Sequence, residues 1–234
     1  MLPTRTHLRL VLFDIDGTLI TTNGVARQVF AESLHRVFQR ETIAATYDFA
    51  GKTDMQIYHE ILAGSGVDDT AISGKQDQTL AVFLELLEQR LNTGNVQALA
   101  GVNILLEALM NESSVTLGLL TGNLLRGARI KLTPPRLNRY FEFGAFGDDA
   151  RYRYQLPAIA LDRAYNRTGV AFKGKEIVII GDTPNDIECG RHLNVRTIAV
   201  ASGTKGAEAL ERHHPDFLFE DLTDLNVVLD AIFE

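Results

Sequence analysis

This 234-residue sequence predicts an α/β protein with a doubly wound, mostly parallel sheet interrupted by an all-helical insertion. Three features carry that expectation. From residue 101 onward, short apolar runs alternate with amphipathic helical stretches, the pattern of parallel strands joined by crossover helices. Between residues 20 and 95 no convincing strand occurs, while helical periodicity recurs. Leu10, Val11, Leu12 and Phe13 form a run that is apolar on both faces, as a parallel strand covered by helices on each side requires. The expected organisation is therefore a core of residues 1–20 and 96–234 with a helical lid, or cap, of residues 21–95. With 45% hydrophobic residues the chain can bury such a core.

The elements follow in order. After the first strand, Val25, Val29, Leu34, Val37 and Phe38 recur at helical spacing, with Thr22 or Asn23 as the cap. A short helix is expected over 54–62, capped by Thr53 or Asp54. Another spans 78–91, with Leu80, Phe83, Leu84, Leu87 and Leu91 on one side. Phe30, Phe38 and Phe83 are assigned to helix packing. In the second part, a helix over 103–110 precedes a strand over 115–120. A helix over 124–132 stops before Pro134 and Pro135. A short strand is expected over 143–146, and a helix over 156–167 ends near Gly169, a suitable C-cap. The run 177–180 is the most apolar strand of the chain, followed by a helix opened by Pro184. A strand over 196–200, a helix over 207–212, a strand over 216–219 and a helix over 222–233 complete the alternation.

A net charge of −7 gives no support for binding nucleic acid or an anionic membrane surface, since those partners need a basic face. No segment approaches the roughly 20 apolar residues that span a bilayer, and residues 1–7 lack the apolar region of a signal peptide. The single cysteine, Cys189, rules out an intrachain disulfide and suits a reducing compartment. In its predicted helix beside Gly190 it reads as a small packed residue. The expectation is a cytoplasmic protein. His35, His59 and His192 fall in predicted helices without metal-ligand spacing, and His213 and His214 sit at a helix end, where a cation is favourable.

The chemistry concentrates at strand ends. Asp14 and Asp16 close the first strand and point the same way, since side chains alternate with period two. Carboxylates at the end of a hydrophobic strand are costly unless neutralised, and a divalent cation would neutralise them. An Asp-Gly turn would explain the pair by itself, but a second acidic pair, Asp182 and Asp186, ends the strand over 177–180. Thr121, Gly122 and Asn123 place a hydroxyl and backbone amides after the strand over 115–120, a suitable cradle for a phosphoryl group. Arg151 and Arg153 supply cations ahead of the helix over 156–167.

In this order the motifs resemble the haloacid dehalogenase superfamily of phosphohydrolases. Asp14-Ile15-Asp16-Gly17-Thr18 is similar to its first signature, Thr121-Gly122-Asn123 to its second, and Gly181-Asp182-Thr183-Pro184-Asn185-Asp186 to its fourth. The helical insertion resembles the subgroup containing phosphoglycolate phosphatase and β-phosphoglucomutase, and Gly51-Lys52-Thr53-Asp54 resembles a lid loop of that subgroup that reaches the active site. The resemblance implies a Rossmann-like core, an Asp14 nucleophile giving an aspartyl-phosphate, and Asp16 as general acid and base. It implies Mg2+ held by Asp14, the backbone carbonyl of Asp16 and Asp182. Thr121, Gly122, Asn123 and a cation would bind the transferring phosphoryl group, and Lys52 would contact substrate. The third signature usually carries a lysine before a helix, and no lysine lies between Lys131 and Lys173. Arg153 is assigned to its place, with Arg151 as runner-up. Asp186 would orient Arg153 or a metal-bound water, although a first-turn helix acid explains it equally well.

The expected function is a Mg2+-dependent phosphatase for a small phosphorylated metabolite, with phosphoglycolate suggested by analogy. A sugar phosphomutase, or a catalytically silent relative that binds a phosphorylated ligand, is the alternative. A dehalogenase ranks below both, because it would need neither the metal nor Asp16. The oligomeric state is not legible in the sequence.

Overall fold

The architecture is that of a computed structural model, in which residues 8–191 and 193–234 are described. The segment of residues 1–7 and His192, on which the sequence carried expectations, lie outside the described residues. β1 (Arg9–Phe13) is buried along its whole length. Its alternate side chains serve two cores: Val11 and Phe13 join the larger apolar cluster, while Leu10 and Leu12 join the one on the opposite face of the sheet. That double burial is why the strand is apolar at every position instead of every second one.

β2 (Ile20–Thr21) leads into three helices, α1 (Val25–Phe38), α2 (Asp54–Gly64) and α3 (Asp69–Arg90), before β3 (Gln97–Ala98) returns antiparallel to β2. The chain continues through α4 (Val102–Met110), β4 (Val115–Leu120), α5 (Leu125–Leu132), β5 (Gly144–Ala145), α6 (Leu156–Thr168) and β6 (Ile177–Gly181). It ends with α7 (Pro184–Arg191), β7 (Arg196–Val200), α8 (Ala207–Glu211), β8 (Phe217–Phe219) and α9 (Leu225–Phe233).

The main sheet has the order β5-β4-β1-β6-β7-β8, and all its pairings are parallel. β1 lies between β4 and β6, with Phe13 in register with Leu119 on one side and Ile180 on the other. The chain thus leaves β1 toward one neighbour and later returns beside the other. In such a sheet the crevice opens at the carboxyl ends of the central strands. Residues that follow Phe13, Leu120 and Gly181 therefore meet, although they are far apart in sequence.

Several local expectations are corrected. Gly24 caps α1 with φ of 80°, and no side chain of Thr22 or Asn23 caps it. At α2, Thr53 is the cap, its Oγ1 accepting from the Gln56 amide at 3.0 Å. α3 begins at Asp69, well before residue 78, with the Asp68 carboxylate accepting from the Ala71 amide at 2.9 Å. Its first turns are mostly exposed, so no apolar stripe announced them. The β2–β3 ribbon was missed because two-residue strands carry no period, and β5 is shorter than 143–146 for lack of further pairing. Gly169 does end α6, with φ of 70°. Among the described residues no helix is long and apolar enough to cross a membrane.

Candidate active site

Three carboxylates converge where β1 and β6 end. Asp14, Asp182 and Asp186 are buried, and each offers an oxygen within 4.8 Å of the others. Burial and mutual repulsion disfavour their charges together. Burial, then the neighbouring acids, pushes Asp182 up to about 8; burial pushes Asp14 up to about 6, against the opposing charge of Arg153. Arg153 Nη2 lies 3.0 Å from Asp14 Oδ1 and 2.5 Å from Asp186 Oδ1, and donates to the Leu120 carbonyl at 3.0 Å. Burial works against the guanidinium charge, but Asp14 and Asp186 more than offset it and hold its pKa above the ordinary value.

The two oxygens of Asp186 are engaged, one by Arg153 and the other by the Thr183 amide at 3.0 Å and hydroxyl at 2.6 Å. Asp182 accepts a long hydrogen bond, 3.3 Å, from the Thr18 hydroxyl. Gly17, at φ of 84°, passes so close that a Cβ there would stand 2.3 Å from Asp182 Oδ2. Only glycine allows that turn and that approach together. Asp14 and Asp182 border the cavity described below, and Asp186 does not. The donor set facing the cavity is thus hard carboxylate oxygen with an excess of negative charge, which fits a small divalent cation such as Mg2+.

A second network surrounds Asp16. Its Oδ2 accepts from Asn123 Nδ2 at 2.8 Å and from Lys131 Nζ at 2.7 Å. The same Asn123 amide donates to Thr121 Oγ1 at 2.8 Å, and Asn123 Oδ1 accepts from Lys131 at 2.5 Å. Lys131 is buried, while 41% of the Asp16 side chain remains exposed. Asp16 therefore keeps a fixed orientation yet stays open to the cavity. Sequence reasoning passed over Lys131. The available signal was positional: Ala128 and Leu132 lie on the buried side of α5, in line with Leu124 at its cap, and Lys131 lies on that side too.

The loop before α2 seats on the sheet. The Asp54 amide donates to the Gly122 carbonyl at 2.7 Å, and the Leu124 amide to Asp54 Oδ2 at 2.8 Å. Asn185 Nδ2 donates to the Gly51 carbonyl at 2.8 Å, and the Thr53 hydroxyl to the Arg151 carbonyl. A Cβ at Gly122 would stand 2.0 Å from the Lys52 carbonyl oxygen, so the loops touch backbone to backbone. Burial pushes the Asp54 carboxyl up to about 6. Lys52 borders the cavity, but its ammonium lies 2.5 Å from the Tyr47 hydroxyl and 2.9 Å from Glu60. Burial opposes the charge of Glu60, yet hydrogen bonds from Tyr47, Gln56 and Lys52 hold its pKa down at about 2.

A cavity of about 420 Å³ is lined by Asp14, Asp16, Thr121, Gly122, Asn123, Lys131, Arg153 and Asp182 from the core. Phe30, Phe49, Ile57 and Phe83 line it from the helical insertion. Phe30 and Phe83, assigned from sequence to helix packing, thus pack and also form wall. Arg151 does not border the cavity; its guanidinium lies over the Tyr152 ring, 5.6 Å from the centroid. Cys189 is buried, its thiol pushed up to about 12 first by burial.

The pattern of the haloacid dehalogenase-like hydrolases matches residues 11–200. Pyrophosphatase PpaX of Oceanobacillus iheyensis is 26% identical over 226 residues, covering 97% of this chain and 99% of that protein. In fold, the chain is similar to a solved structure described as a predicted phosphoglycolate phosphatase from Haemophilus somnus, with a TM-score of 0.73, 19% identity and coverage of 96% and 99%. It is likewise similar to a hydrolase from Pseudomonas syringae, with a TM-score of 0.71, 21% identity and coverage of 97% and 99%.

Proposed function

Since the chain belongs to the haloacid dehalogenase-like hydrolase family, we propose that it is a Mg2+-dependent phosphatase acting through an aspartyl-phosphate on Asp14. The observation that carries this reading is the convergence of Asp14 and Asp182 on one cavity at the ends of adjacent strands. In the proposed reaction, Asp14 Oδ attacks phosphorus and the bond from phosphorus to the leaving oxygen breaks. Asp16, held by Asn123 and Lys131, gives its proton to that oxygen. It then takes a proton from the water that attacks the phosphoenzyme, releasing inorganic phosphate and restoring Asp14. Thr121 and the amides near Gly122 and Asn123 would bind the transferring oxygens. Arg153 can join them, because its Nε is a buried donor without a partner among the described residues, and a phosphoryl oxygen could accept from it.

Asp14, the Asp16 carbonyl and Asp182 would hold Mg2+, with Asp186 fixing Arg153 behind them. The ion, when bound, offsets repulsion between the anionic nucleophile and the anionic phosphate. The helical segment of residues 21–95 would serve as the lid that excludes water. Phosphoglycolate and pyrophosphate are the substrates to which the resemblance and the relatives' names point.

The test is phosphate release from a panel of phosphate esters with and without Mg2+, for wild type and Asp14→Asn, together with the melting temperature on adding Mg2+. Expected are metal-dependent release, loss of release in Asp14→Asn, and an upward thermal shift that Asp182→Asn abolishes. Metal-independent turnover, or full activity in Asp14→Asn, would overturn the reading. Interconversion of sugar phosphates without net release would assign a mutase.

A further inference from the structure

We infer that Arg27 is a specificity-determining residue that binds a second anionic group of the substrate, so that the site takes a small phosphate compound bearing a carboxylate or another phosphate beside the phosphoryl group it gives up. The inference rests on the phosphohydrolase reading above and concerns the part of the cavity contributed by α1 and the loop before α2. Among the described residues, four cations border the cavity. Three are paired with carboxylates: Lys131 with Asp16 at 2.7 Å, Arg153 with Asp14 at 3.0 Å and Lys52 with Glu60 at 2.9 Å. The fourth, Arg27, is exposed and has no carboxylate partner among the described residues. Its Nη2 donates to the carbonyls of Ala44 at 3.2 Å, Ala45 at 3.1 Å and Tyr47 at 2.6 Å, and its guanidinium lies 4.7 Å from the Phe49 ring centroid. Its Nε and Nη1 groups keep their N–H donors without a partner among the described residues.

The three carbonyls and the ring hold the guanidinium in place, but none carries a net charge, so its positive charge stays uncompensated. A guanidinium fixed in advance loses little rotamer freedom on binding, and its planar fork matches the oxygens of a carboxylate or phosphate. The acids of the same wall do not take it. Asp48 pairs with Lys205 at 2.8 Å, and Asp54 Oδ2 accepts from the Leu124 amide at 2.8 Å. An apolar leaving group finds little to cover, because Phe30, Phe83 and Ile57 are only 2%, 2% and 4% exposed. The cavity, about 420 Å³, falls toward the small end of the roughly 300–1,000 Å³ typical of sites for organic ligands. That volume suits two anionic groups joined by a short link.

Phosphoglycolate, pyrophosphate and 2-hydroxyethyl phosphate test this, the last being phosphoglycolate with an alcohol in place of its carboxylate. With Mg2+ present, the wild type should favour phosphoglycolate or pyrophosphate over 2-hydroxyethyl phosphate in kcat/KM. Arg27→Gln should reduce that preference by about 10–100-fold, the scale of one hydrogen bond to a charged group. Leaving-group reactivity cancels, because the same compounds are compared in wild type and variant. Arg27→Lys keeps the charge without the fork and should retain part of the preference. A loss confined to phosphoglycolate assigns a carboxylate to Arg27, and one confined to pyrophosphate assigns a phosphate. An equal loss for all three compounds, as expected if Arg27 only ties α1 to the loop before α2, overturns the inference and leaves the phosphohydrolase reading standing. So does a loss as complete in Arg27→Lys as in Arg27→Gln, or a wild type that favours 2-hydroxyethyl phosphate over both others, the latter read without any variant. Absence of Mg2+-dependent turnover of all three overturns both.

Discussion

Replacing Arg153 by Gln removes the cation that holds three buried carboxylates together. Its Nη2 lies 3.0 Å from Asp14 and 2.5 Å from Asp186. At an effective dielectric of about 20, a unit charge pair at 3.0 Å attracts by about 5.5 kcal/mol before desolvation is subtracted. Removing one partner of such a buried pair typically costs about 3–5 kcal/mol, because the other charge stays uncompensated. That range is the expected loss for metal-free Arg153→Gln at about pH 9.

The loss should shrink in acid. Asp14 and Asp182 already sit above their unfolded values, at about 6 and about 8, and Arg153 opposes both shifts. Without it both rise further. An acid raised in the folded state takes up protons on folding, so stability falls as pH rises from the unfolded pKa through the folded one. Each additional unit adds about 1.4 kcal/mol of loss above the folded pKa. A further rise of one unit in each group would make the variant's deficit about 2 kcal/mol larger near pH 9 than near pH 4, since Asp182 would then be only half ionised at pH 9. Urea unfolding followed by far-UV circular dichroism, with EDTA present, measures this; the chain has no tryptophan to report by fluorescence. A deficit below about 1 kcal/mol near pH 9, or one independent of pH, would refute the argument that Arg153 compensates this cluster.

Two further perturbations test the seating of the inserted loop. Asp54→Asn should stabilise the protein above about pH 6 and not below the unfolded value near 4, because the folded pKa of about 6 makes ionisation unfavourable by about 3 kcal/mol while an amide can still accept from the Leu124 N–H; thermal melts across pH would show it, and destabilisation at neutral pH would contradict it. Gly122→Ala drives a Cβ to 2.0 Å from the Lys52 carbonyl oxygen. It should displace the loop and lower kcat/KM by as much as about 100-fold while the sheet stays folded; unchanged kinetics on the preferred substrate would show that this contact does not position the site.

The sequence by itself determined the parallel core, because strands buried on both faces must be apolar throughout, and β1 and β6 are. It also marked Asp14, Asp16, Thr121 and Asp182, since polar groups at the ends of such strands are visible breaks in an apolar run. Cations and walls were less legible. The resemblance assigned Arg153 to the place of a lysine, with Arg151 as runner-up, and only the distances to Asp14 and Asp186 distinguish the two. Lys131 looked like any lysine of an amphipathic helix until the fold brought Asp16 and Asn123 to it.

The inserted half of the cavity was decided by tertiary structure alone. Phe30, Phe49 and Phe83 come from two helices and a loop, and their spacing in sequence follows helix packing whether or not they also border a ligand site. Lys52 has a charge that any sequence reader sees, but its neutralisation by Glu60 depends on how the loop before α2 folds back against that helix. Periodicity records which residues must leave water; which of them face each other, and which charges cancel, is fixed only when separate elements pack.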